Sequence, residues 1–176
     1  GADDRGVVRR LEAVGHGALG GATRGRWSGW YYLRPDELGL PFTEVSVPTD
    51  LGPAPAWCFP GAAAEGPVAG DSRWVIQMHG RGVTRSEALR AVPVFHELGF
   101  TSLLISYRND GEAPASDDGR YSLGDAEWRD LEAAVRFARE QGAQRILVMG
   151  WSMGGASTLQ FVTRSELSSA VEGIIL

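Results

Sequence analysis

Lysine is missing altogether: all 17 basic residues of this 176-residue chain are arginine. Together with the abundant alanine and glycine, that reads as a coding bias rather than a functional signal. The net charge is −5 and the arginines are scattered, which excludes the basic stripe of a nucleic-acid binder. Arg9, Arg10, Arg24 and Arg26 give the chain a mildly basic start, read as a solvated face. Cys58 is the single cysteine, so no internal disulfide can form. It lies in the apolar stretch Ala56-Trp-Cys-Phe59 and reads as packing. No apolar run approaches the about 18 residues of a membrane span, so no membrane association is expected and a cytoplasmic location is. Metal-ligand spacing, a phosphate-cradling loop and a dinucleotide fingerprint are all lacking, and no cofactor is expected. The opening Gly-Ala-Asp-Asp-Arg reads as neither an initiator methionine nor a signal peptide.

What remains suits one soluble domain. The apolar share is 43% and the charged share 22%, and a chain this long buries roughly 70% of its unfolded surface. Residues 1–41 read as a lead-in segment, partly helical near Val7–Val14, whose Trp27-Ser-Gly-Trp-Tyr-Tyr32 cluster packs on the domain. Residues 42–176 follow as the domain proper. Phe42–Val47 and Ala56–Phe59 read as strands of a hairpin joined by Thr49-Asp-Leu-Gly-Pro53, and Pro60–Gly70 as a loop too polar to pack.

Then the pattern changes. Trp74-Val-Ile-Gln-Met78, Thr101-Ser-Leu-Leu-Ile-Ser106 and Ile146-Leu-Val-Met149 are nearly continuous apolar runs, as strands covered on both faces require. Between the first two, Leu89, Val92, Phe95 and Leu98 fall at near-helical spacing over Ser86–Leu98. Pro93 kinks that helix or starts it afresh, and Gly99 ends it. Before the third run, Trp128, Leu131, Val135 and Ala138 form one helical stripe, with Ser122 expected as its cap through Asp125 and Gly142 as its stop. Gly173-Ile-Ile-Leu176 begins another strand. Alternating strands and helices after a hairpin give an α/β fold with a mostly parallel sheet, covered on both faces by right-handed crossovers.

The most informative segment is Gly150-Trp151-Ser152-Met153-Gly154-Gly155. It follows a buried strand and leads into the helical Ala156-Ser-Thr-Leu-Gln-Phe-Val162. A G-x-S-x-G pentad at a strand-to-helix turn is a nucleophile elbow, with the serine pushed out at the top of the sheet. The Trp74–Met78 strand ends in His79-Gly80-Arg81-Gly82, a turn able to aim backbone N–H groups at space beside the elbow. Acyl transfer needs such donors because negative charge builds on the former carbonyl oxygen, and each is worth roughly 3–4 kcal/mol. The natural pair is the N–H of Arg81 and that of Met153. Ser106-Tyr-Arg-Asn-Asp110 ends the middle strand, and ligands of open α/β sheets bind beyond the carboxyl ends of strands. Tyr107, Arg108 and Asn109 are therefore candidates for the substrate rim. Arg108 either takes an anionic substrate group or braces a loop through carboxylates. Asp110, Asp117 and Asp118 read as solvated members of a polar loop, Arg108–Tyr121. His79 reads as holding the loop that it heads rather than as a base, and His16 and His96 as surface or packing residues.

Taken together, His79-Gly-Arg-Gly82, Ser106-Tyr-Arg-Asn109 and Gly150-Trp-Ser-Met-Gly-Gly155 resemble the α/β-hydrolase superfamily over roughly residues 42–176. The nearest likeness is to bacterial serine hydrolases of the prolyl-oligopeptidase and dienelactone-hydrolase branches. The resemblance implies Ser152 as nucleophile, Arg81 and Met153 as oxyanion donors, and an acyl ester, thioester or amide as small-molecule substrate. A peptidase of the prolyl-oligopeptidase type and a non-catalytic binding scaffold are the rival readings. In that superfamily the order is Ser, then Asp or Glu, then His. After Ser152 this chain has Glu166 and Glu172, both too early, and no histidine. The expectation is thus the front half of a hydrolase fold, incomplete at the C-terminus. Its acid and base would lie beyond Leu176, and the missing half or a second copy would cover the exposed sheet edge.

Overall fold

The computed structural model describes residues 13–25, 32–62 and 72–176. The expected helix near Val7–Val14 and the Trp27–Tyr32 cluster fall largely outside these residues, as does most of the Pro60–Gly70 loop. Within the lead-in, residues 13–25 are exposed and irregular, while Tyr32 packs with Leu38, Leu40 and Phe42 against the domain.

Among the described residues, six strands form one sheet. The hairpin strands are β1 (Thr43–Thr49) and β2 (Gly52–Phe59), joined by a tight two-residue turn in which Thr49 Oγ1 donates to Gly52 O at 2.6 Å. The rest are β3 (Arg73–Met78), β4 (Thr101–Ile105), β5 (Arg145–Gly150) and β6 (Val171–Ile175). The sheet order is β1-β2-β4-β3-β5-β6. β2 pairs antiparallel with β1 and with β4, and every later pairing is parallel. This is the mostly parallel sheet with an opening hairpin that the apolar runs imply.

Alternation along the strands makes two cores. Trp74, Ile76 and Met78 of β3 and Leu103 and Ile105 of β4 face one side. There they meet Leu131, Val135 and Ala138 of helix α2 (Trp128–Glu140) and Phe161 of helix α3 (Met153–Arg164). Trp57, Phe59 and Leu104 face the other side, against Ala88, Leu89 and Val92. These last belong to a 3-10 segment, Arg85–Ala91, running into helix α1 (Val92–Glu97). Pro93 sits in the first turn of α1, where a proline costs no hydrogen bond, so the helix does start afresh there. Gly99, at φ 77°, ends it.

The start of α2 differs from the reading. Ser122 does not cap it. Residues 123–127 form turns, and the Glu127 carboxyl, fully buried, accepts the amides of Ser122 and Gly124 at 2.7 and 2.8 Å. The Glu127 side chain thus ties down the preceding loop, and α2 starts without a side-chain cap bond. No helix among the described residues is long and apolar enough to cross a membrane.

Candidate active site

Parallel pairing of β3 with β5 aligns Met78 with Gly150. Both chains therefore leave the sheet side by side, although about 70 residues separate them in sequence. The Trp151 amide extends the ladder by one step, donating to Met78 O at 2.9 Å. Then the chain turns sharply. Ser152 stands at φ 51°, ψ −110°, a backbone state that costs a non-glycine residue of order 1–3 kcal/mol. Its side is exposed, whereas Met153, Gly154 and Gly155 behind it are buried.

Two glycines make this turn possible. A Cβ on Gly154 would lie 2.2 Å from Met78 O, and one on Gly150 would lie 2.5 Å from Gly154 O. Both are backbone collisions that no rotamer relieves. Gly80 is confined less severely: a Cβ there would lie 3.2 Å from Glu87 Oε2 and 3.3 Å from Ser152 Cβ and Trp151 O, tight contacts rather than collisions. The loop after β3 thus touches the residue at the turn after β5.

That loop is held from beneath. The Tyr107 hydroxyl, in a fully buried side chain, lies 3.0 Å from His79 O and 2.9 Å from Gly80 O. His79 stacks on the Tyr107 ring at 4.2 Å and is itself fully buried. Its Nδ1 is 2.8 Å from Gly80 O, and its Nε2 is 3.1 Å from Asp110 Oδ2. On the other side, the Gly80 amide donates to Glu87 Oε2 at 2.7 Å. Among the described residues, the amides of Arg81 and Met153 have no protein acceptor. Arg81 is exposed.

Three sequence expectations change here. Tyr107 and Arg108 form no rim: Tyr107 lies under the His79–Gly80 turn, and Arg108 is 5% exposed. The Arg108 guanidinium grips Asp130 through Nε at 2.7 Å and Nη2 at 3.3 Å, and also bonds Asp50. Burial alone would lower its basicity, but the bonds to Asp130 and Asp50 hold it up. Of the two readings of Arg108, the brace is the one observed. Asn109, at φ 70°, turns its amide onto Ser116 Oγ and Arg120 O, so its polar atoms secure the following loop.

The third change is Asp110. Its side chain is completely buried, not solvated, and it organises the turn by accepting the amides of Tyr107, Glu112 and Ala113. Burial pushes its carboxyl upward, yet the bonds from His79, Ala113 and Glu112 prevail and hold it below the usual carboxylate value. The same burial drives the Tyr107 phenol well above its ordinary range, with Tyr121 and Asp110 adding to it. Asp117 and Asp118 are exposed as read. Asp110 and Glu87 carried no sequence signal beyond their places just after β4 and just after the glycine-rich turn.

The remaining histidines stand elsewhere: His16 is exposed in the lead-in, and His96, on α1, has its Nδ1 2.8 Å from Pro60 O. No group of three or more His, Cys, Asp or Glu able to hold a metal occurs among the described residues. Cys58 is half-buried, and burial raises its thiol to about 11, the behaviour of an inert packing thiol.

The chain is similar to several proteins of known structure. The esterase Pf2001 of Pyrococcus furiosus superposes with a TM-score of 0.59 at 22% identity, over 81% of this chain and 52% of the esterase. This is the α/β-hydrolase fold. The α/β-hydrolase GrgF from Penicillium sp. sh18 superposes at 0.63 with 21% identity, over 77% of this chain and 45% of its own. A puromycin-hydrolysing peptidase of Mycobacterium tuberculosis gives 0.62 at 20% identity, over 76% of this chain and 21% of the peptidase. The chain thus spans about half the length of the esterase, and less of the other two. The prolyl oligopeptidase family model matches residues 88–171, a stretch that includes the pentad. No curated protein sequence matches the chain.

Proposed function

We propose that this chain supplies the nucleophile and the oxyanion donors of a serine hydrolase acting on an ester, thioester or amide. The observation that carries the reading is Ser152: an exposed serine at φ 51° on the β5–α3 turn. It has the Gly80 loop against its Cβ, and two amides without protein acceptors flank it: that of Met153, next in the chain, and that of Arg81, next after Gly80.

In this reading Ser152 Oγ attacks the substrate carbonyl carbon and yields its proton to a histidine. The Arg81 and Met153 amides hold the oxyanion. Collapse expels the alcohol, thiol or amine, which takes the proton, and water then cleaves the acyl-serine by the same route. The base is not His79, whose two ring nitrogens already face Gly80 O and Asp110. It comes with its orienting carboxylate from polypeptide beyond Leu176. A surface for that polypeptide, or for a second copy, runs along β6 and α3, where Ile174, Leu176, Leu159 and Val162 are 40% or more exposed. Residues 42–176 are then the front part of the hydrolase domain, with 1–41 as its lead-in.

The test is fluorophosphonate labelling of the full-length protein. Wild type should label on Ser152 and Ser152→Ala not at all; undiminished labelling of the variant would end this reading. The prolyl oligopeptidase match favours a second reading, a peptidase. Faster cleavage of aminoacyl-nitroanilides than of nitrophenyl esters would select it.

A further inference from the structure

We infer that Glu87 is a positioning residue for the oxyanion loop, acting through the Gly80 amide, and that Arg90 ties it to the nucleophile turn through Trp151. The inference rests on the serine-hydrolase reading of Ser152 and adds to it a residue outside the three sequence motifs.

Two successive peptide planes are held by these contacts. The His79–Gly80 plane offers its carbonyl to the Tyr107 hydroxyl and its N–H to Glu87. The Gly80–Arg81 plane has its carbonyl 2.9 Å from that hydroxyl and 2.8 Å from His79 Nδ1. A trans peptide points its N–H opposite to its carbonyl. With Gly80 O drawn inward, the Arg81 N–H must face outward, where an oxyanion would sit. Three of the four polar atoms are clamped from the protein side, and the fourth is the donor.

Glu87 is the clamp that opposes the other two. Tyr107 and His79 pull on carbonyls from beneath the sheet end, while Glu87 takes the amide from the 3-10 segment that covers the opposite face. The loop needs holding from both sides because Gly80 and Gly82, the latter at φ 71°, flank Arg81, and glycines leave the backbone free to swing. A Cβ built on Gly80 would lie 3.2 Å from Glu87 Oε2 and 3.3 Å from Ser152 Cβ. Carboxyl and nucleophile therefore bound the same small space, and a shift at one displaces the other's neighbour.

Arg90 completes the tie. Its Nη2 is 3.4 Å from Glu87 Oε1, the oxygen not used by Gly80. Its guanidinium carbon stands 3.8 Å over the Trp151 ring, the residue before Ser152. The loop after β3 and the turn after β5 are thus coupled through side chains as well as through the Trp151–Met78 backbone bond. The Glu87 side chain is 16% exposed and Arg90 43%, so the ion pair itself is an ordinary surface pair and the sheltered part of the tie is the Glu87–Gly80 bond.

The test uses the full-length protein, p-nitrophenyl butyrate as ester and a trifluoromethyl ketone as oxyanion mimic. Glu87→Ala should lower kcat by ~10–100-fold, part of the loss that follows outright removal of an oxyanion donor, and leave KM within about twofold. The ketone's inhibition constant should rise in step with the fall in kcat. Glu87→Gln keeps an acceptor oxygen and should recover most of the rate. Hydrogen exchange of the 79–82 segment should quicken in the alanine variant and not in the glutamine one. A folded Glu87→Ala with wild-type kcat, a loss confined to KM, or equal losses in both variants overturns the inference. If labelling shows Ser152 not to be the nucleophile, the hydrolase reading fails by itself. Unchanged exchange at Gly80 in Glu87→Ala refutes the clamp whatever the nucleophile.

Discussion

An alanine at Gly154 would bring its methyl group 2.2 Å from Met78 O, 2.7 Å from His79 O and 2.8 Å from Met78 C. Ordinary contact begins at 3.4 Å, so 3.4 − 2.2 leaves 1.2 Å to be found. No side chain can yield it. Met78 ends the central strand β3, held between β4 and β5, and its carbonyl already takes the Trp151 amide at 2.9 Å. Overpacking costs typically 1–3 kcal/mol, and a shift of that size in paired backbone belongs at about 3. Against it stands the helix preference of alanine over glycine, about 1 kcal/mol. The net loss is about 2 kcal/mol. Gly155 is the matched control, one position on in the same turn, where a Cβ meets nothing nearer than 3.4 Å. Gly155→Ala keeps the propensity gain without the collision and should be up to ~1 kcal/mol more stable than wild type. At 2–4 °C per kcal/mol for a protein of this size, Gly154→Ala should melt ~4–8 °C below wild type and Gly155→Ala up to ~4 °C above it. Urea and thermal unfolding followed by circular dichroism give both numbers. Equal melting points for the two variants would refute the close approach of α3 to the end of β3, and with it the steric account of the pentad.

Three further outcomes follow from other contacts. Ser152→Gly removes the φ 51° strain and should stabilise the fold by about 1 kcal/mol while abolishing labelling; a lower melting point than wild type would mean that the turn stores no strain. Arg108→Met strands Asp130, 2% exposed, and should cost ~3–5 kcal/mol in urea unfolding; Asp50→Ala removes a half-exposed partner and should cost under about 1 kcal/mol, so equal losses would contradict the buried-pair account. Asp110 lies below its unfolded value of 3.8 in the folded chain, so its contribution is full above that pH and is lost as pH falls through it toward the folded value. The stability gap between wild type and Asp110→Asn should therefore shrink below about pH 4; a gap that widens on acidification would reverse the assigned direction.

How much of this could be read from residues alone depended on the range of the forces involved. The strands β3, β4 and β5 were legible because burial on both faces demands unbroken apolar runs, and the restart of the helix at Pro93 because proline constrains its own turn. The sharp turn between β5 and α3 was legible because glycine is the residue that fits its collisions, and the spelling Gly150-x-Ser152-x-Gly154 records them directly. Buried carboxylates were not legible. Asp110, Glu127 and Asp130 lie in segments whose neighbours are polar, and a pattern that counts hydrophobicity assigns such residues to solvent. What buries Asp110 and Asp130 is a partner set by tertiary structure: His79 is 31 residues from Asp110, and Arg108 is 22 from Asp130. Ser122 failed as a cap for a related reason. Glu127 folds back to satisfy the loop amides, and Gly124, at φ 102°, presses against the backbone of Ala156 and Ser157 in α3, so the turn is shaped by α3 rather than by its own sequence.

The strain at Ser152 and the free Met153 amide have one physical origin. A serine at φ 51° relaxes unless its neighbours forbid it, and three backbone bonds do so. The amides of Trp151, Gly154 and Ala156 are bound to Met78, Trp151 and Ser152 carbonyls, at 2.9, 2.8 and 3.2 Å. Between the first two of these donors lie Ser152 and Met153. The Met153 amide is the first of α3, where an intrahelical acceptor is lacking by geometry and the helix dipole favours negative charge. Relaxing Ser152 would tilt that first turn and the Met153 amide with it. The same bonds that keep the serine strained therefore fix the orientation of the Met153 amide, and neither can be given up separately. For this reason a substitution that eases the turn should raise stability while weakening any oxyanion contact, a trade-off expected where function stores backbone strain.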